Sequence, residues 1–110
     1  MKANYWQKGD AIDFVNATEN TIPANTLVVL GTHVGVAGTD IAAGETGTIL
    51  VSGVWKLAKK GAEVITAGTN VYYSSADDAV TATAAENTAC GYAIAAAAAA
   101  DETVLVRLPG

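Results

Sequence analysis

The chain has 110 residues, 11 carboxylates against six Lys and Arg, and a formal net charge of −5. Binding to a phosphate backbone needs clustered cations, and only KLAKK, Lys56–Lys60, comes near that, so the composition speaks against a nucleic-acid partner. Alanine supplies much of the 51% hydrophobic content; among the larger side chains 12 Val outnumber six Leu, and Thr and Gly are abundant, which leans the chain to β-structure in one domain, residues 1–110.

Residues 1–9 form an N-terminal arm. The opening MKANYWQKGD lacks the apolar stretch of a signal peptide, and no apolar run approaches the ~20 residues of a membrane span, so neither secretion nor a membrane is expected. Tyr5 and Trp6 stand in this arm beside Lys2 and Lys8. Aromatic residues dominate interface hot spots, which makes Lys2, Tyr5, Trp6 and Lys8 the candidate contact residues. The alternative is that Trp6 folds back onto its own core.

Strand-sized segments then alternate with turn signals: Ala11–Ala17, Thr26–Leu30, His33–Ala37, Thr46–Leu57, Asn70–Tyr73, Val80–Ala84, Ala89–Ala95 and Thr103–Leu108. This is the rhythm of a small all-β antiparallel barrel or sandwich. In the first segment Ile12 and Phe14 share a face; in the last, Val104, Val106 and Leu108 oppose Thr103, Leu105 and Arg107. Pro23 and Pro109 fall outside these runs.

Three of the connections echo one another: IPAN (22–25), IAAG (41–44) and ITAG (65–68). Pro in second and Gly in fourth place suggest a type I turn, one corner built three times but not a true repeat architecture. SSADD, Ser74–Asp78, reads as a hairpin turn. The alanine run Ala95–Ala100 is too short for an isolated helix, and NTACGYAIA before it alternates as a strand does. The expectation is strand through about Ala95, loop across 97–102, then the last strand, with a one-turn helix in the loop as the alternative.

Chemistry-bearing motifs are sparse. His33 is the only histidine and has no neighbouring ligands of metal-site spacing. Cys90, the only cysteine, rules out an internal disulfide, fits a reducing compartment and has no adjacent base to activate it. No G-x-S-x-G elbow accompanies the serines. GTHVGVAGTD is glycine-rich without G-x-G-x-x-G, and Gly-Lys occurs nowhere, so neither nucleotide motif is present. SSADD falls far short of a calcium loop. The expectation is a non-enzyme with no catalytic residue, no metal and no cofactor.

Taken together, KGDAIDFVNA, the central GVAGTDIAAGETGTILVSGVWKLAKK and the closing AGTNVYYSSADDAVTATAAENTACGYAIAAAAAADETVLVRLPG resemble the phage capsid cement, or decoration, proteins. This group was long described only as a domain of unknown function, and its members sometimes carry a recombinase label that nothing in these residues supports. The resemblance spans nearly the whole chain and is most specific in SGVWKL, GTNVYYSSADDAVT and the alanine-rich ending. It implies a small β-barrel-like domain on the outer face of an expanded capsid, bridging major capsid protein subunits. It also implies a homo-oligomer, a trimer by analogy or else a dimer, located on the virion after a stay in the host cytoplasm. Other readings to be weighed are a different head or tail component and a small β-barrel ligand-binding module.

Overall fold

A computed structural model describes residues 1–5 and 7–109. Its nine strands are β1 (Ala11–Val15), β2 (Leu27–Leu30), β3 (His33–Ala37), β4 (Thr46–Leu50), β5 (Ser52–Ala58), β6 (Asn70–Ser74), β7 (Ala79–Thr81), β8 (Thr88–Ala93) and β9 (Thr103–Pro109). No helix occurs among the described residues. The strands build two antiparallel sheets, ordered β1-β4-β3-β2 and β5-β9-β8-β6-β7. The second curls back on itself. Its two ends meet at a parallel bridge between Lys59 and Val80, and the Lys60 N–H donates to the Val80 carbonyl at 2.9 Å.

Without β7, the two sheets have the same strand order, and their registers agree except beyond a bulge between Val71 and Tyr72, where Tyr72↔Ala89 departs by one residue from Val29↔Val34. Ala11↔Leu50, Ile12↔Ile49, Asp13↔Thr48, Phe14↔Gly47 and Val15↔Thr46 in the first correspond to Val54↔Arg107, Trp55↔Val106, Lys56↔Leu105, Leu57↔Val104 and Ala58↔Thr103 in the second. Leu27↔Val36 and Val28↔Gly35 correspond to Asn70↔Tyr92 and Val71↔Gly91. Val36↔Leu50 and Ala37↔Ile49 correspond to Tyr92↔Arg107 and Ala93↔Val106. The chain is therefore one four-stranded unit built twice, with the β6–β7 hairpin inserted in the second copy. The sequence expectation of a shared corner without a true repeat is corrected. The halves differ at buried as well as outward positions, Ile41 against Ala97 and Val34 against Cys90, which hides the duplication from a reading of short motifs.

The corners lock the units. Ile22 bridges Ile41 in the first, and Ile65 bridges Ala97 in the second. Each of these residues directly precedes a tight turn, closed by N–H···O=C bonds Thr26→Pro23, Glu45→Ala42, Thr69→Thr66 and Asp101→Ala98. The expected three corners are four, and the fourth lies in the alanine run. The turn also starts one residue later than expected. Asn25 (φ 67°), Gly44 (φ 77°) and Gly68 (φ 84°) occupy its third position with left-handed backbone, the mark of a type II turn and the reason Gly or Asn recurs there. The run is strand only to Ala93, then a bridge at Ala97 and a turn, without helix.

Anchor size is balanced across each unit. A Cβ on Gly47 would sit 2.4 Å from Ile41 Cγ1, so the large anchor of the first unit needs glycine on the neighbouring strand. At the matching places the second unit has the small anchor Ala97 and the larger Val104, both buried. Native interiors are close-packed, so the two solutions fill comparable space with the bulk exchanged between positions.

β3 joins the halves. Val34 and Val36 belong to the cluster that fills the curled sheet with Val71, Val80, Cys90, Val104, Val106 and Leu108. Ala37 faces the other cluster, with Val28, Ile41, Ile49 and Val51. A strand buried on both faces reads as a continuous apolar run, as VGVA does. The expected strand Thr46–Leu57 is divided at Val51, whose N–H bonds the Asp10 carbonyl while the chain passes from one sheet to the other. Alternation continues through the crossing, so periodicity alone could not locate it.

Candidate interaction surface

The outward face of the second sheet carries a row of side chains set by strand register: Val54 on β5, Arg107 on β9, Tyr92 on β8 and Asn70 on β6. Beside it lie Lys56 and Leu105, opposite one another, and Ile94, whose N–H donates to the Leu105 carbonyl at 3.0 Å. Val54, Tyr92, Ile94 and Leu105 are all large hydrophobic residues left exposed. None of β5, β6, β8 and β9 contains a carboxylate, although the chain is acidic overall. Among the described residues the one ion pair is Lys60–Asp77 at 3.7 Å, so Lys56 and Arg107 form none. An apolar strip bearing two unneutralised cations suits a partner surface with apolar and acidic groups.

The other lysines differ. Lys59 is buried, and its Nζ donates to the carbonyls of Lys60 and Glu63. In the first unit Asn16 does the matching work. Its Nδ2 donates to Asn20 O at 2.8 Å and to Ile41 O at 2.9 Å, which ties the loop after β1 to a corner. Lys2, Tyr5 and Lys8 lie exposed ahead of β1, Tyr5 at 83%. Trp6, the fourth contact residue expected from sequence, lies outside the described residues. The arm residues and the sheet face are thus separate candidate surfaces. The sequence pattern had grouped Thr103, Leu105 and Arg107 on one side of a strand. It held no sign of which strands flank them, and so missed Val54, Lys56 and Tyr92.

Among the described residues, shallow cavities of about 250 to 270 Å³ indent the surface, smaller than the ~300–1,000 Å³ usual for small-molecule sites. One, at the seam between the sheets, is lined by both His33 and Cys90. Burial pushes the Cys90 thiol up to about 11, the opposite of what a thiolate nucleophile requires. Glu63 accepts hydrogen bonds from the Thr81 hydroxyl and the Ala82 N–H, which fixes the loop before Ile65. Among the described residues no group of three or more His, Cys, Asp or Glu is placed to hold a metal ion. Among the described residues no helix is long and apolar enough to cross a membrane.

The scaffold is all-β, with an exposed apolar face and exposed leading residues outside its strands. The chain belongs to the phage cement protein family, whose model matches residues 6–108, nearly its whole length. Neither the curated proteins nor the solved structures yielded a match. Membership assigns the protein a structural, capsid-stabilising role in the phage virion, and the family is not one of known enzymes.

Proposed function

We propose that this protein binds the outer surface of the expanded capsid as a single folded domain and stabilises the shell by bridging neighbouring major capsid protein subunits. The observation that carries the reading is the outward face of the second sheet, apolar with Arg107 and Lys56 and free of carboxylates on its strands. Two copies of this face would oppose cation to cation, so it fits a different, acidic partner better than itself. Bound protein shifts the equilibrium from opened to intact shell by mass action, and needs no active site to do so.

Purified protein co-sedimented with expanded heads, followed by imaging, tests this. The expected result is saturable binding across the shell, heads more resistant to heat, and loss of binding in the Arg107→Glu and Leu105→Lys variants. Binding confined to a vertex or tail would move the protein to another structural role in the particle. Full binding by both variants would place the contact on another surface.

A further inference from the structure

In the second unit the outer edge of β6 is covered by β7; among the described residues the matching edge of β2 in the first unit carries no strand. Half of an edge strand's N–H and C=O groups point away from the sheet, and soluble proteins protect such edges with charge, proline or cover. The other edges here are protected. β1 carries exposed Asp13, β5 carries exposed Lys56, and β7 closes back toward β5 at the Lys59–Val80 bridge. β2 reads LVVL with Val29 and Leu30 exposed, and no Lys, Arg, Asp or Glu occurs anywhere from Asn20 to Thr39.

The same chain carries a segment suited to that edge. None of the described residues among 1–9 belongs to a strand, and Tyr5 stands clear of the body. The arm leads into β1, at the other edge of the same sheet, and Gly9 lines one cavity together with Leu30 and His33 of the β2–β3 hairpin. Eight extended residues reach up to about 26 Å, roughly twice the ~13 Å of a four-residue strand.

We propose that the N-terminal arm of a second copy pairs along the β2 edge and supplies the strand that the first unit lacks. Donor and acceptor are different surfaces, so the contact closes either by reciprocal exchange about a two-fold axis or as a ring. The inference concerns contacts between copies and does not depend on the capsid reading.

The test uses the purified chain without capsids. Light scattering on a sizing column compares the full chain with a variant lacking residues 2–8 and with Val29→Lys, each checked for native circular dichroism. The expected result is an oligomer for the full chain and a monomer for both variants. An equimolar mixture of the two variants should then form a heterodimer, because one keeps the arm and the other keeps the edge. A monomeric full chain, an oligomer untouched by either change, or two monomers that fail to complement would overturn the proposal. Head co-sedimentation, scored separately, decides the capsid reading: an intact oligomer that ignores heads counts against that reading alone.

Discussion

The two halves of the molecule share strand order and most of their register, yet they solve three problems differently. The first unit seats a large corner anchor, Ile41, against Gly47; the second seats Ala97 against Val104. The first ties its β1 loop with an amide, Asn16; the second uses an ammonium, Lys59. The first leaves β2 as an open edge, and the second covers β6 with β7. What the halves keep in common is backbone pairing and the corners, while side-chain volume and polar chemistry are exchanged between equivalent positions. Topology therefore rests on the hydrogen-bond frame, and each unit has its own compensation for volume.

The largest effect is expected where that compensation is broken. Gly47→Val imports the second unit's residue while Ile41 still occupies the space, and should destabilise by about 3 kcal/mol, the upper range for overpacking. Ile41→Ala alone leaves a cavity at a fully buried position and should cost about 2–5 kcal/mol. The double variant Ile41→Ala/Gly47→Val reproduces the second unit's solution and should lose much less than the sum, as urea unfolding of all four proteins would measure. Additive losses would end the idea of exchanged volume.

A smaller loss is expected at the loop ties. Asn16→Ala and Lys59→Ala each remove two hydrogen bonds to backbone carbonyls, at about 1–3 kcal/mol apiece. Similar values for the two in thermal unfolding would show that amide and ammonium do equivalent work. A much larger loss at Lys59 would mean that its charge contributes something the first unit lacks.

These contrasts also mark what was legible in the sequence. Alternation located the strands to within a few residues, and the Ile-x-Ala-Gly echo revealed three corners, because turn chemistry is local. The fourth corner was hidden because its anchor is one alanine among many, chosen by the volume of Val104 across the sheet. The crossing at Val51, the duplication and the neighbours of Arg107 all depend on which strands pair, a long-range property that no window of residues encodes. Of the apolar, cationic face only the Leu105 and Arg107 side of the last strand was legible, and it became a surface only through register.

Alkali should discriminate between the halves. Burial, followed by the hydrogen bond its hydroxyl donates to Asp78, raises Tyr73 to about 12, and burial raises Cys90 to about 11. A raised folded value favours the protonated form. This stability is complete below the unfolded values near 9 for Cys and 10 for Tyr, and is lost as pH climbs toward 11 and 12. Both groups belong to the second unit; Val34 stands where Cys90 would in the first. Denaturant midpoints should hold level to about pH 9 and then fall. Cys90→Val should remove the part that begins near 9, and Tyr73→Phe the part that begins near 10. An unchanged alkaline limb in both variants would trace it to other groups.

The smallest effects are expected at the corners, where three turns share a left-handed third residue and the fourth does without one. Asn25, Gly44 and Gly68 all take left-handed φ, whereas Ala100 in the fourth turn does not. Asn tolerates that region almost as glycine does, so Asn25→Gly should shift stability by only a few tenths of a kcal/mol. Gly68→Ala meets no steric neighbour within 4 Å and should still cost about 1–2 kcal/mol, all of it from the backbone. Ala100→Gly should cost up to about 1 kcal/mol for the opposite reason, because it frees the unfolded chain at a place with no need for a left-handed residue. If Gly68→Ala and Ala100→Gly both proved neutral in thermal unfolding, the corners would be passive connections, and the common frame would reside in the strand pairing alone.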